Sequence, residues 1–253
     1  MTKLLAIAGV TVRDALRQKL AVNLLLFALL LIGASLVLAQ LTFGEQWRII
    51  ADLALTSAGI FGTLIAVFLG AGSVAGDIQR RSLYPVLAKP VSRTTYVLGR
   101  YAGLVAVLCL NLLVMALLTV AVLGVYRGHL GFLASTPILV AFAGLGLQLA
   151  VVAALAVLFS CFTNMTLAAI AGLALATAGH FTREALPYWR TSAPGRVAAL
   201  LVPNLSALDF KVAVVYSERL AAGPTALAFA SGLLYAAVVL ALAAAVFARR
   251  DLH

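Results

Sequence analysis

The sequence predicts an all-α integral membrane protein with six transmembrane helices, an N-terminal amphipathic helix at the membrane interface and both termini in the cytoplasm. Of its 253 residues, 64% are hydrophobic and only 10% are charged, and the mean hydropathy is +1.12. Soluble domains carry about 25% charged residues, so this few charges cannot cover a water-exposed surface of this size. The chain also contains a series of charge-free stretches long enough to cross a bilayer, which needs about 20 residues.

These charge-free stretches set the number of spans. They cover residues 20–44, 53–76, 101–126, 128–182 and 220–248. The fourth is too long for one crossing, and the polar sequence at 160–164 divides it into two helices. The first is expected to be an uncleaved helix, because its apolar run exceeds the 7–15 residues of a signal peptide. The predicted transmembrane helices are therefore 20–41, 53–75, 95–124, 137–159, 166–182 and 225–247.

The basic residues predict the orientation of these spans. The formal net charge is +10, and Lys and Arg near the ends of spans collect on the cytoplasmic side. With a cytoplasmic N-terminus, eleven basic residues fall inside: Lys3, Arg13, Arg17, Lys19, Arg80, Arg81, Lys89, Arg93, Arg100, Arg249 and Arg250. Seven, spread over longer segments, fall outside. Because the position of the charge follows membrane topology, we expect no nucleic-acid partner.

Residues 1–19 are predicted to form an amphipathic elbow helix rather than a span. Apolar side chains recur with helical spacing on one side of it, and charged side chains occupy the other. The apolar set is Leu4, Leu5, Ala8, Val12, Ala15 and Leu16, and the charged set is Lys3, Arg13, Asp14 and Arg17. A helix with this pattern lies in the plane of the membrane surface, so we expect it at the inner face.

The most highly charged loop, residues 76–93, connects the second and third predicted spans. We expect a short cytoplasmic helix over 77–83, because Asp77 at its start favours a helix N-terminus. The two prolines of the loop limit how far this helix runs. Thr94 or Thr95 is then expected to cap the third span.

The largest outer segment is residues 183–224, before the last span. Within it Leu205, Leu208, Val212 and Val215 recur at helical spacing, opposite Asp209, Lys211, Glu218 and Arg219. This pattern predicts an amphipathic helix lying at the outer membrane surface.

Two glycine pairs within or beside the predicted spans have the spacing that allows close helix contact. These are Gly72 with Gly76 and Gly99 with Gly103. Small residues four apart let helix backbones approach in a membrane, although a chain with 20 glycines contains such pairs by chance.

The predicted spans hold little of the chemistry that catalysis or ion coupling needs. Their apolar cores contain no Asp, Glu, Lys or Arg, which argues against ion-driven transport. His129 and His180 both fall near the outer face and are candidates for a metal or haem site, but interfacial histidines are the favoured interpretation. A Walker A sequence is absent, so any energy source lies on another chain. We therefore expect no catalytic residue, metal site or cofactor in this chain.

Three segments resemble the ABC-2 type permeases, the membrane subunits of one large class of ABC transporters. Residues 75–93, with an acid, two arginines and the ending Pro-Val-Ser-Arg, resemble the signature loop of that family. Residues 247–252 look like the family's usual ending, and 203–206 followed by Asp209 are similar to its outer segment. The chain also resembles a branch of this family that supplies the membrane subunit of transporters that mature nitrous oxide reductase. The resemblance implies a single transmembrane domain over 1–253.

The resemblance also implies partners and a mechanism. Two copies of the chain would pair with two ATP-binding subunits, which hold ATP and Mg²⁺, in a bacterial inner membrane with its lipids. ATP-driven closure would push on a coupling helix and shift the dimer, whose seam draws on the second and fifth spans, between inward and outward access. The implied ATPase contacts are Asp77, Ile78, Gln79, Arg80, Arg81, Ser82, Leu83 and Tyr84, with Ser160, Thr163 and Asn164 at a second inner turn.

Two alternatives remain open. The same assembly could transmit ATP-driven motion to an extracytoplasmic accessory protein docked on 183–224, without moving a solute. The chain could instead be an unrelated membrane enzyme or cytochrome-like subunit.

The charges of the 76–93 loop could also serve only to fix topology and bind anionic lipid. Asp77 stands where the family often has Glu, and the chain lacks the large outer domain of lipid-exporting relatives.

Overall fold

The fold was described from a computed structural model, which covers residues 2–40, 45–79, 92–128, 137–189 and 201–249. None of these residues is in a β-strand. Within the described ranges we number nine α-helices in chain order: α1 Thr2–Leu16, α2 Lys19–Gln40, α3 Gln46–Gln79, α4 Arg93–Arg127, α5 Ile138–Ser160, α6 Met165–His180, α7 Thr182–Trp189, α8 Lys211–Val215 and α9 Ala222–Arg249. A single 3₁₀ turn at Ser206–Leu208 precedes α8.

Helices α2, α3, α4, α5 and α9 are long and apolar enough to cross a membrane. Helix α6 is apolar but has 16 residues, about 24 Å at 1.5 Å per residue, which is less than the roughly 30 Å of a bilayer core. The prediction of an all-α integral membrane protein is confirmed, with five long helices and one shorter one. Below, the end of the bundle where α3 ends and α4 begins is called the inner end, and the opposite end is the outer end.

Helices α3 and α5 form the centre of the bundle. In their most apolar windows 67% of α5 and 56% of α3 is buried, against 22% of α2 and of α9. The two central helices approach closely at Gly70, where a Cβ atom would lie 2.6 Å from the Cβ of Ala156. Large apolar side chains such as Phe27 and Leu234 remain exposed on the peripheral helices, where lipid is their expected solvent.

Helix α1 docks against the start of α4 across two glycines. A Cβ at Gly99 would lie 2.9 Å from Ile7, and one at Gly103 would lie 2.6 Å from Thr11. The Gly99 and Gly103 pair is therefore a true contact groove. Around the other predicted pair the chain is more open, since a Cβ at Gly76 would meet nothing within 4 Å.

The predicted boundaries were too short for the longest helices. Helix α3 begins at Gln46 rather than 53 and ends at Gln79 rather than 75, and α4 begins at Arg93. Charged residues marked the ends of the apolar stretches in the sequence. In the structure the helices continue past them, because a helix needs no apolar side chains once it leaves the lipid core.

The predicted outer amphipathic helix is wrong in both extent and packing. Only the 3₁₀ turn and the five residues of α8 are helical there, and Asp209 in extended conformation separates them. Leu205 and Leu208 are buried as expected, but Val212 is 51% exposed while Val214 is buried. The break at Asp209 shifts the register, so a single helical wheel did not describe the segment.

We predict that Gly70→Ala destabilises the protein and that Gly59→Ala does not. The first change forces a methyl group into the α3–α5 contact, and overpacking of this kind costs about 1–3 kcal/mol. At Gly59 the nearest atom to a new Cβ, Leu145 Cδ1, lies at an ordinary 3.6 Å. The melting temperatures of both variants in detergent micelles measure this difference, and equal values would contradict the close approach of α3 and α5.

Candidate functional site

A cluster of polar side chains lies at the inner end, where α1, α3 and α4 meet. Its members, called the inner polar cluster below, are Thr11, Asp14, Asp77, Tyr96 and Arg100. Tyr96 and Arg100 are one helical turn apart on α4 and so share a face. Asp77 lies in the last turn of α3, and α1 brings its two members over the glycine groove.

Arg100 contacts every other member of the inner polar cluster. Its Nη2 forms an ion pair with Asp77, and its Nε donates to the Tyr96 hydroxyl at 3.3 Å. Its Nη1 donates to Thr11 Oγ1 at 3.3 Å and lies 3.6 Å from Asp14 Oδ2. The Tyr96 hydroxyl donates to Asp77 Oδ2. One guanidinium therefore ties three helices together.

The central pair of this cluster is largely withdrawn from water. The side chains of Arg100 and Asp77 are 12% and 17% exposed, and Tyr96 is 1% exposed. Electrostatic attraction is stronger at such sites than at a surface, and a lost partner leaves a poorly solvated charge. The pair therefore strongly favours the arrangement in which the ends of α3 and α4 stay in contact.

The same region of α4 also holds the end of α9. The ring of Tyr96 stacks on Phe247, with centroids 5.7 Å apart. Arg93 Nη1 lies 3.4 Å from the carbonyl oxygen of Phe247 and 3.3 Å from that of Ala248, and donates to both. A cation that donates to the last carbonyls of a helix stabilises its C-terminus. The first turns of α4 thus join α1, α3 and α9.

The structure corrects the predicted start of the coupling loop. Asp77 is not at the N-terminus of a new helix, because α3 continues unbroken to Gln79. Ile78 packs against the core, and Gln79 is exposed. The other expected contact residues of this loop lie outside the described residues: Arg80, Arg81, Ser82, Leu83 and Tyr84.

The N-cap of α4 is Ser92, not Thr94 or Thr95 as predicted. Its hydroxyl accepts a hydrogen bond from the backbone N–H of Thr95 at 3.2 Å. A side-chain oxygen three residues before the N–H is the usual capping geometry. The cap therefore lies two residues before the first of the predicted caps, and the helix starts at Arg93.

The second inner turn, between α5 and α6, uses its polar side chains internally. Ser160 is fully buried and donates to Val157 O at 2.9 Å. Thr163 donates to Phe159 O at 2.7 Å, and Asn164 caps α6 by accepting from Leu167 N at 2.9 Å. Phe162, which the sequence reasoning did not single out, is 48% exposed and is the large apolar side chain that this turn presents.

A cavity of about 320 Å³ lies at the outer end, among α3, α5, α6 and the segment before α8. Lys211 closes one side of it, with Nζ 3.3 Å from Asp52 Oδ1 and 3.1 Å from Thr56 Oγ1. His180 and the buried Gln148 line another side and share a 2.7 Å hydrogen bond. The outer ends of α3 and α6 therefore hold a set of polar contacts around this cavity. The pattern of charge-free stretches in the sequence did not predict these contacts.

His180 has structural partners on both ring nitrogens. Its Nδ1 lies 2.8 Å from the carbonyl oxygen of Ala176, which can only accept, so Nδ1 carries the proton and Nε2 accepts from Gln148. His129 lies outside the described residues. Within the ranges that the structure covers, no three His, Cys, Asp or Glu side chains are grouped to hold a metal ion.

The segment before α8 is pressed against three glycines on three different helices. A Cβ at Gly144 would lie 2.6 Å from Leu208 O, one at Gly179 2.8 Å from Leu205, and one at Gly232 3.0 Å from Leu208. Leu205 N also donates to Gly179 O at 3.2 Å. This segment thereby covers the outer end of the short helix α6 and satisfies one of its last carbonyls.

We predict that Arg100→Met destabilises the protein by about 3 kcal/mol, because it leaves a partly buried carboxylate without its cation. The double variant Asp77→Leu/Arg100→Met is expected to recover most of this loss, since it removes both charges. Melting temperature in micelles and the rate of tryptic cleavage within α1 measure the effect, with exposed Arg249→Met as the control, since it leaves the trypsin sites of α1 intact. A wild-type melting temperature for Arg100→Met alone would contradict the role of the ion pair.

Comparison with known protein families agrees with this architecture. The family described as "ABC-2 family transporter protein" matches residues 5–252, which is nearly the whole chain. None of the curated proteins compared with the chain matches it. The match does not separate the branches of the family, so the narrower resemblance to nitrous oxide reductase maturation stays a prediction. The chain belongs to the ABC-2 family and is a multi-pass membrane permease of an ABC transporter.

Proposed function

We propose that the protein is one half of a homodimeric permease, driven by two ATP-binding subunits, that moves a substrate across the bacterial cytoplasmic membrane by alternating access. The inner polar cluster is the observation that supports this most. It holds the end of α3 and the start of α4 together, and these are the two helix ends that flank residues 80–91. A displacement of that loop is therefore passed to both helices.

The loop would serve as the coupling element for the ATP-binding subunits, which supply ATP and Mg²⁺. Arg80 and Arg81 give it polar, orientable contacts, and Leu83 and Tyr84 give it apolar anchors of the kind that dominate protein interfaces. Asp77 has a different role in this proposal. Its carboxylate is held by Arg100 and Tyr96, so it fixes the base of the loop.

The second inner turn would be the smaller ATPase contact. Its exposed surface consists of Phe162, Asn164 and part of Thr163, while Ser160 lies behind it. Phe162 packs edge-on against Phe159 with centroids 5.7 Å apart. A force on this aromatic side chain would reach α5 directly, because Phe159 is part of that helix.

The path from the inner end to the seam runs through the contacts that join α3, α5 and α6. By the family's geometry the dimer seam is formed by the second and fifth spans, which are α3 and α6 here. Helix α3 touches α5 at Gly70, and a Cβ at Gly172 of α6 would lie 3.5 Å from Ala156 of α5. Motion of α3 and α5 would therefore carry α6 with them and change the seam.

A second candidate function is transmission of this motion to an extracytoplasmic protein. The rigid docking of residues 203–208 on α5, α6 and α9 favours it, as does the bond from Lys211 to α3. These contacts would make the outer surface move with the helices rather than independently of them. A partner bound to the outer segment would then sense the state of the ATPases.

We predict that Arg80→Glu/Arg81→Glu abolishes co-purification with the ATP-binding subunit, or uncouples its ATPase activity, while the permease still folds. The control is Arg13→Glu/Arg249→Glu, which makes the same charge change at exposed positions of the inner end. Pull-down yield and ATPase rate in nanodiscs are the measurements. Unchanged assembly and coupling in the loop variant would refute the assignment of the coupling element.

For transmission to an outer partner, we predict an ATP-dependent distance change between spin labels at Glu218→Cys in the two permease copies of the assembled complex. The double variant Leu205→Ala/Leu208→Ala loosens the packing of residues 203–208 on the bundle. It is expected to abolish this change, because the segment no longer follows α5 and α6. The exposed Val212→Ala is the matched control. A distance that ATP does not alter in the parent protein would count against transmission and leave solute movement as the function.

A further inference from the structure

A second cavity, of about 490 Å³, lies at the inner end beside the inner polar cluster. Its walls come from the C-terminal half of α1, the α1–α2 turn, the last third of α3, α4 and the first residue of α6. Here it is called the inner cavity. None of the roles proposed above uses it.

The charges around the inner cavity divide into two groups. Asp14 and Asp77 are both engaged by Arg100, so that group is paired internally and carries a formal charge of −1. Arg17 and Lys19 line the same cavity, are exposed, and form no ion pair with any residue that the structure describes. With two acids and three bases, the lining carries a formal charge of +1, and the excess sits at Arg17 and Lys19.

The depth of these two cations matches that of lipid headgroups. The first apolar span begins at Ala21, two residues after Lys19, so this lysine stands at the edge of the hydrocarbon region. Leu69 on α3 and Leu104 on α4 lie deeper in the bundle than Asp77 and Arg100 and give the cavity an apolar floor. A ligand held here would meet cations above and apolar side chains below, which is the polarity of a membrane lipid.

We propose that the inner cavity binds the phosphate of an anionic phospholipid between Arg17 and Lys19, with the start of its acyl chains on the apolar floor. Basic pockets among transmembrane helices commonly bind such headgroups. A solvated role for the two cations fits less well, because they border a half-open cavity that also has apolar side chains in its lining. Free phosphate shares the headgroup's chemistry but makes no use of the floor.

The position of the site gives a bound lipid access to both predicted ATPase contacts. The cavity is lined by Gly76 and Asp77, at the base of the coupling loop, and by Met165, next to Asn164 of the second inner turn. If the proposed function holds, occupancy would bias the position of both elements. The binding itself does not depend on that function.

The test is lipid retention by the purified permease without any ATPase subunit. The protein is exchanged into equal amounts of phosphatidylglycerol and phosphatidylcholine, delipidated with mild detergent, and the retained lipids are measured by mass spectrometry. Wild type is expected to retain phosphatidylglycerol preferentially. Each cation near a membrane surface contributes about fivefold in affinity, so Arg17→Gln/Lys19→Gln should reduce the preference roughly 25-fold, whereas the exposed Arg13→Gln should leave it unchanged.

A charge-neutral variant guards against an altered topology. Gly76→Leu fills the cavity while keeping every charge, and a Cβ there meets nothing within 4 Å, so the helix accommodates it. It is expected to lose the preference as well. The proposal is overturned if both cavity variants retain lipid like wild type, or if millimolar inorganic phosphate displaces the lipid, which would assign the site to a soluble anion. Because no ATPase is present, these outcomes are independent of the coupling experiment.

Discussion

The interaction on which the inner end depends is the ion pair of Arg100 with Asp77. Both charges are mostly withdrawn from water, so each requires the other to remain in place. Arg100 also reaches Thr11 and lies close to Asp14 of α1, and its neighbour Tyr96 stacks on Phe247 of α9. Breaking the pair would therefore loosen four helices at once. A shift of the pair as a unit would move all four together, as the proposed coupling to the ATP-binding subunits requires.

Away from this pair the helices are held mainly by close backbone approach, with the Lys211–Asp52 ion pair at the outer end. In lipid, apolar side chains gain little by leaving one apolar environment for another, so small residues that allow close packing determine which helices touch. Gly70 brings α3 to α5, Gly99 and Gly103 bring α1 to α4, and Gly144, Gly179 and Gly232 hold the outer segment. Helices packed this closely have little room to slide past each other. A movement at the inner end would therefore be passed to the outer end through α3 and α5.

Much of the fold could be predicted because lipid imposes it through composition. The spans follow from apolar length, and most helix ends were placed within a few residues. The inner polar cluster could not be predicted, because Arg100 and Asp77 are 23 positions apart in the sequence. Considered separately, each is simply a charge that fixes membrane topology. Gly99 and Gly103 were noticed, but nothing in the sequence distinguished them from Gly72 and Gly76. The prediction of one amphipathic helix in the outer segment failed for a local reason, since the break at Asp209 changes the helical register.

The position of Asp77 in the last turn of α3 also changes the role that this residue would have in the proposed coupling loop. An acid at the start of a separate helix would have been one more surface contact for the ATPase. In the structure Asp77 lies in the last turn of α3 and is held by Arg100 of α4. The base of the loop is therefore part of the membrane bundle. A displacement applied to the chain after Gln79 would then reach α3 and α4 directly through this clamp. The same clamp forms one wall of the inner cavity, so a headgroup bound there would act on the clamp directly.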